Sequence, residues 1–202
     1  MKLYESIVFN HISKESRVID LGCGDGELLH QLIQKKQCKA YGVEKNFESV
    51  LKTMGKGIPT FQGDILEGLL QFEDNAFDVA VLSQTLQQVF NPIDIIKELC
   101  RVSKSAIITF PNFGFWRVRW QLLTSGHSPK TKQLPYEWYN TPNIRVITIN
   151  DFRQLCNENK LVIQKEIPLV KFKLQRLLFP LGLTNLFTQK GIFIIKNGDT
   201  KI

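Results

Sequence analysis

Over the first 110 residues, short runs of β-branched and aliphatic residues alternate with stretches whose apolar side chains recur every three or four positions. Residues 17–21, Arg-Val-Ile-Asp-Leu, form the first run and lead into a glycine cluster. Leu28, Leu29, Leu32 and Ile33 then lay one apolar stripe along a helix predicted over 27–36. A second strand is predicted over 39–44, a helix over 47–54, a short third strand over 59–62 and a fourth strand over 77–82. The fourth, Phe-Asp-Val-Ala-Val-Leu, has almost no polar alternation, as expected of a strand covered on both faces at the centre of a parallel sheet. A helix over 93–102 follows, with Asn91 expected as its cap and Pro92 at its first position, then a fifth strand over 105–110 that Pro111 ends. This alternation predicts an α/β fold, a mostly parallel sheet with helices on both faces.

The pattern breaks over 112–146, which is rich in aromatic and basic residues, among them Phe113, Phe115, Trp116, Trp120, Trp138 and Tyr139. A segment this long without regular structure usually covers a site or meets something. A lid over a pocket, a protein-partner interface and a nucleic-acid stacking surface are all compatible with its composition. Order returns with a helix over 151–159, for which Asn150 is the expected cap, a strand over 161–167 and a last strand over 191–196. Between those strands lies a basic, leucine-rich insertion, 169–190, interrupted by Pro180 and Gly182. The interruptions favour a two-part cap or docking element over a continuous helix lying on a membrane. No repeat, linker or low-complexity tract divides the 202 residues, which are expected to form one domain.

Composition narrows the classes. With 43% hydrophobic residues the chain can build a sizeable core, which excludes disorder over most of its length. The net charge of +7 raises the question of an anionic partner without identifying one. Cys23, Cys38, Cys100 and Cys156 are widely spaced with no C-x-x-C pair, and His11, His30 and His127 are scattered, so neither a metal site nor a disulfide framework is expected. Without a signal-like N-terminus or a membrane-spanning run, a cytoplasmic protein is expected.

The sharpest chemical signal is Asp20-Leu21-Gly22-Cys23-Gly24-Asp25-Gly26, between a predicted strand and a predicted helix. Glycines there permit a tight turn and close approach of a ligand to the main chain. About twenty residues on, Glu44 ends the second strand, where a carboxylate can accept hydrogen bonds from a nucleoside ribose. Two features argue against a dinucleotide: Gly26 comes one residue too early for G-x-G-x-x-G, and Asp20 and Asp25 would repel a pyrophosphate. A ligand with a ribose and a cationic amine but no phosphate fits, and S-adenosylmethionine has both.

These residues resemble the class I S-adenosylmethionine-dependent methyltransferases over roughly 15–110, in the order glycine motif, Glu44, Gly63-Asp64 and the 77–82 strand. The resemblance implies a Rossmann-like, seven-stranded, mostly parallel sheet whose last strand is antiparallel. It also implies an adenosyl site: Gly22, Gly24 and Gly26 under the methionine and ribose portions of the ligand, Glu44 on the ribose hydroxyls, and Asp64 with the backbone of Ile65 at the adenine amino group. Asp20 and Cys23 of the same turn are counted with this site, as is Ser83 after the fourth strand, where capping is an equally compatible role. Three further blocks resemble a narrower family. Ser83-Gln84-Thr85-Leu86-Gln87, the stretch from Ser105 through Pro111-Asn112-Phe113-Gly114-Phe115-Trp116-Arg117, and Leu134-Pro135-Tyr136-Glu137-Trp138-Tyr139-Asn140-Thr141-Pro142-Asn143-Ile144 are similar to the methionine-biosynthesis protein MetW family. That resemblance implies a methyltransferase-like protein of methionine biosynthesis that binds S-adenosylmethionine or S-adenosylhomocysteine and works with homoserine O-acetyltransferase. A small-molecule ligand is then expected, and nucleic acid is disfavoured. Lys45-Asn46 departs from the acidic residue that often follows the second strand in the family.

Several residues keep two readings. Cys23 is better read as a small filler of the turn than as a nucleophile, since no histidine is near it in sequence. Gln84 and Gln87 follow the fourth strand at the ligand edge of such sheets, where contact with a ligand and ordinary capping are equally compatible. Asp78 begins that strand, at the opposite edge, and is expected to be structural. No catalytic residue is assigned.

Overall fold

The computed structural model describes residues 3–170 and 173–198. Chain order is α1 (Leu3–Asn10), β1 (Arg17–Leu21), α2 (Glu27–Lys36), β2 (Lys39–Glu44), α3 (Phe47–Gly55), β3 (Thr60–Gln62), α4 (Ile65–Leu69) and β4 (Phe77–Ser83). A short 3₁₀ turn (Leu86–Gln88) precedes α5 (Pro92–Val102), β5 (Ser103–Pro111), α6 (Trp116–Ser125), α7 (Ile149–Glu158) and β6 (Leu161–Leu169). A 3₁₀ stretch (Lys173–Leu181), α8 (Thr184–Phe187) and β7 (Lys190–Asn197) complete it. Of the 169–190 insertion, Lys171 and Phe172 lie outside the described residues.

The strands form one seven-stranded sheet in the order β3-β2-β1-β4-β5-β7-β6. All neighbours are parallel except β7, which runs antiparallel to both β5 and β6. The two-residue period of a strand divides the apolar side chains between two cores. Ile19, Leu21, Ala80 and Leu82 pack with Ile96 and Leu99 of α5 and Phe152 of α7, whereas Val18, Val79 and Val81 pack with Val8 of α1 and Leu29 and Leu32 of α2. The expected doubly covered sheet with an antiparallel last strand is thus the observed one. Among the described residues no helix is long and apolar enough to cross a membrane.

Caps and irregular pieces differ from expectation. Pro92 opens α5 and Asn91 stands at its N-cap, but the Asn91 side chain makes no capping hydrogen bond. The cap of α7 is Thr148, not Asn150. Thr148 Oγ1 accepts from the Asp151 amide (3.2 Å), and Asp151 Oδ2 accepts from the Thr148 amide (3.0 Å). This reciprocal pair satisfies two amides at once, so the helix starts two residues earlier and takes Asn150 inside. Pro111 is the last residue of β5, paired with Lys190, rather than a stop after it. The 112–146 segment contains α6, of which only Val118 is buried, so no apolar stripe marked it in the pattern.

Asn112 secures this segment to the sheet. Its Nδ2 donates to the carbonyls of Asn185 (2.7 Å) and Thr188 (2.8 Å), and its Oδ1 accepts from the amides of Gly114 (2.9 Å) and Ile149 (3.3 Å). A buried amide with both ends used in this way is a structural joint.

Beneath it, Phe110, Phe152 and Phe193 pack with ring centroids 4.6 to 5.7 Å apart. Phe152 is 1% exposed and ties α7 to β5 and β7. Phe152→Ala is expected to cost about 3–5 kcal/mol in urea unfolding, the usual range for an aromatic cavity; a loss under about 1 kcal/mol would show that the three rings do not pack as described.

Candidate functional site

The site is built on the turn between β1 and α2, at the point where sheet order reverses between β1 and β4. Open α/β sheets bind ligands at the carboxyl ends of strands on either side of such a reversal. Gly22 lies at φ +71°, and a Cβ there would stand 2.7 Å from Thr85 Oγ1, so only glycine lets the turn pass under Thr85. Gly24, at φ +58°, has open space where its Cβ would be. Gly26 is the N-cap of α2.

Strand β2 holds the turn in place. The amides of Gly22 and Cys23 both donate to the Val43 carbonyl (2.8 and 3.2 Å), and the Gly26 amide donates to Cys23 O (3.0 Å). The Gly24 amide donates to Glu44 Oε2 (2.9 Å), and Thr53 Oγ1 donates to Gly24 O (2.9 Å). Glu44 Oε1 accepts from the amides of Lys45 (2.9 Å) and Asn46 (2.8 Å). The amides of Gly22, Cys23, Gly24 and Gly26, committed to Val43, Cys23 and Glu44, are not available to a phosphate. The Glu44 carboxylate, with roughly four acceptor positions, retains one on Oε2 for a ligand hydroxyl.

Asp20 lies beneath the turn, 4% exposed, and its Oδ1 has no hydrogen-bond partner. Burial, with the negative charges of Glu44 and Glu5, pushes its carboxyl up to about 7. An orphaned buried acceptor in a negative field is suited to a cationic or hydrogen-donating ligand. Cys23 is buried, and burial aided by Asp20 and Glu44 pushes its thiol up to about 12. That environment opposes a thiolate and agrees with a filler of the turn.

A cavity of about 450 Å³ opens over the turn. Gly22, Glu44, Asp64, Ile65 and Ser83 line it, whereas Asp20, Cys23, Gly24 and Gly26 are not among its lining residues. Asp64 caps α4 by accepting from the Leu66 amide (2.9 Å). Ser83 Oγ is 3.1 Å from Thr109 Oγ1. Sequence reasoning missed the apolar wall, Val43, Leu66, Val89, Phe90 and Ile95, which suits a flat ring. Val89, Phe90 and Ile95 follow β4 with no single period, and Val43 and Leu66 belong to β2 and α4.

A larger cavity, about 850 Å³, adjoins the first, and Gln84 and Gln88 line both. Gln84 has φ +58°, a strained conformation for a non-glycine residue that must be held by its surroundings. Its amide donates to the Thr109 carbonyl (2.9 Å), its Nε2 donates to Thr109 Oγ1 (3.0 Å), and its Oε1 accepts from Lys190 Nζ (2.6 Å). Its carbonyl accepts from Gln87 Nε2 (2.6 Å) and Gln88 Nε2 (3.1 Å). The glutamines therefore stiffen the turn; Gln84 and Gln88 also face both cavities, and Gln87 faces the larger one. Phe115, Arg117 and Tyr136, from the aromatic segment, wall the larger cavity, while Trp120, Trp138 and Tyr139 point to solvent, each at least 60% exposed. Asp78, at the far edge, accepts from the Arg17 amide (2.9 Å) and pairs with Lys104 (2.8 Å), contacts that hold its carboxyl well below the usual range. Its role is structural.

Topology and glycine turn together define the Rossmann-like fold of the class I S-adenosylmethionine-dependent methyltransferases. Solved S-adenosylmethionine-dependent methyltransferases superpose over nearly the whole chain. One from Archaeoglobus fulgidus is 18% identical, covering 96% of this chain and 91% of that one with a TM-score of 0.63. One from Thermotoga maritima is 17% identical, covering 96% and 87% with a TM-score of 0.64. The family model described as methionine biosynthesis protein MetW matches residues 4–195, and the chain belongs to that family. It is 37% identical over 172 residues to the bifunctional methionine biosynthesis protein MetXA/MetW of Rhodopirellula baltica, covering 81% of this chain but only 28% of that protein.

The raised Asp20 carboxyl has a consequence for stability. Its folded value of about 7 lies above the ordinary 3.8, so between these values the folded chain holds a proton that the unfolded chain has lost. The stabilisation is complete below the ordinary value and is lost as pH rises through about 7. Melting scans from pH 4 to 8 should show this decline, and Asp20→Asn should flatten it. An unchanged pH slope in the variant would place the titration elsewhere.

Proposed function

We propose that this protein binds S-adenosylmethionine, or its demethylated product, over the β1 turn and acts with homoserine O-acetyltransferase in methionine biosynthesis. The observation that carries the ligand assignment is the disposition of hydrogen-bonding groups. The amides of Gly22, Cys23, Gly24 and Gly26 are committed, one acceptor position of Glu44 remains, and the buried Asp20 oxygen has no partner. A ribose hydroxyl on Glu44 and a cationic group near Asp20 meet those requirements, and a phosphate meets neither. Asp64, Ile65 and the apolar wall would hold the adenine, Gly22 and Gly24 would leave room for the chain, and Ser83 would border it. When bound, S-adenosylmethionine supplies an electrophilic methyl group on a sulfonium.

Partnership with the acyltransferase is supported by the Rhodopirellula relative, whose name joins MetXA and MetW in one bifunctional protein. It is also supported by Trp120, Trp138 and Tyr139, large aromatic side chains exposed in the 112–146 segment. A second reading is an active methyltransferase on a small molecule. The observation favouring it is the larger cavity, which meets the first at Gln84 and Gln88, as an acceptor site must meet a methyl donor.

Calorimetry with S-adenosylmethionine tests the ligand. Gly24→Val, which forces a branched side chain into the left-handed region, and Glu44→Ala, which frees the Gly24 amide, should each weaken binding at least about tenfold. Unchanged affinity in both variants would refute the site.

For the partner, the acyltransferase should co-purify with this protein and lose activity without it. Trp120→Ala combined with Trp138→Ala should reduce the recovered acyltransferase at least about fivefold, the scale of an interface anchor. An acyltransferase indifferent to the protein's absence would dismiss the partnership. Labelled S-adenosylmethionine incubated with fractionated cell extract distinguishes the second reading, which predicts a labelled small-molecule product.

A further inference from the structure

The larger cavity differs from its neighbour in charge character. Of the charged residues lining the glycine-turn cavity, Glu44 and Asp64 are acidic and Lys45 is basic, with Asp20 buried beneath the turn. By contrast, the charged side chains lining the larger cavity are Arg117, Lys132 and Lys190, and among the described residues no aspartate or glutamate lines it. Arg117 and Lys132 have no acidic partner among the described ion pairs; Arg117 instead lies 5.8 Å from the ring centre of its neighbour Trp116. Glu137, the acidic residue in this stretch of chain, is paired with Lys130. Arg117 and Lys132, cations beside a concave space with no acidic partner among the described ion pairs, raise the potential there and attract anions.

The lining also restricts what kind of anion fits. About 850 Å³ is far more than an inorganic ion fills, and is within the range of pockets for small organic molecules. Gln133 and Gln189 add hydrogen-bonding carboxamides, while Phe115 and Leu169 add apolar surface. Lys190 is fixed rather than swinging freely: its Nζ donates to Gln84 Oε1 (2.6 Å) and sits 4.2 Å from the ring centre of Tyr4. Because Gln84 also borders the smaller cavity, a molecule held at Lys190 lies beside whatever occupies the glycine-turn site.

We infer that the larger cavity is a binding site for a small organic anion, a carboxylate or a phosphate ester, held by Arg117, Lys132 and Lys190. This deepens the reading of the neighbouring cavity as an adenosyl site by assigning a charge class to the second ligand. It does not need that reading to be tested, because anion binding is measured without S-adenosylmethionine.

The probes are succinate, glycerol 3-phosphate and putrescine, the last a four-carbon dication matching succinate in length with its charge reversed. Titrated calorimetrically at low salt, one or both anions should bind and putrescine should not. Carboxylate and phosphate ester are told apart by which anion binds more tightly. Lys132→Gln and Arg117→Gln, both at exposed positions, should each weaken the better anion about fivefold or more, and raising salt to about 0.15 M should weaken it in the parent protein. Unchanged melting temperatures would show that both variants are folded; should either be unstable, the salt dependence and the putrescine control still decide. Absence of binding by both anions, putrescine binding as tightly as succinate, or anion binding indifferent to both substitutions would overturn the inference. If the anion binds while S-adenosylmethionine does not, the adenosyl reading fails and this one stands.

Discussion

The carboxylate of Glu44, reaching from the end of β2 to the Gly24 amide, is the contact on which the geometry of the site depends. A glycine turn left to itself is the most disordered piece of backbone in such a fold, because residues without Cβ lose the most conformational entropy on ordering. Here the turn is fixed from one side. Val43 O takes the amides of Gly22 and Cys23, and the next residue along β2 takes the amide of Gly24. The register that pairs Asp20 with Gly42 and Leu21 with Val43 brings these acceptors within reach. The same contacts decide which ligands can be received, since an amide committed to a carboxylate is unavailable to a phosphate, and the carboxylate itself repels one.

How much was legible in the sequence follows from where side chains are buried. Strands β1, β4 and β5 were plain because they are covered on both faces and read as continuous apolar runs. Helix α6 was not, since its single buried residue leaves no period to detect; what holds the region is Asn112, one polar side chain joining carbonyls and amides that lie far apart in sequence. The α7 cap was misplaced because Asn150 and Thr148 are both good capping residues in isolation. Only the reciprocal bond with Asp151 separates them, and it depends on a spacing of three.

The candidate site divides along the same line. Its polar members, Glu44, Asp64 and Ser83, stand at or just beyond strand ends, where topology alone brings them together. The apolar wall formed by Val89, Phe90 and Ile95 comes from a connection and the first turns of a helix, and its residues share no regular spacing. Asp20 was legible as part of the motif, but its burial was not. Its raised carboxyl arises from burial, then from Glu44, and then from Glu5 of α1, a helix that the sequence pattern did not reveal.

The net charge of the chain takes on a local meaning in this arrangement. Glu44 and Asp64, with Lys45, line the smaller cavity, only basic charged groups line the larger one, and the residues between them, Gln84 and Gln88, are neutral carboxamides. A charged side chain at that boundary would pair with one set and disturb the other, whereas an amide donates and accepts without biasing either. The direction of β7 completes the separation. Because β7 is antiparallel, its first residue, Lys190, pairs with Pro111 at the carboxyl end of β5. A parallel strand in the same place would begin at the opposite edge, and Lys190 would lie far from any ligand. The reversed strand thus carries a lysine to the edge where the parallel strands end, where it holds the strained Gln84 and faces the larger cavity.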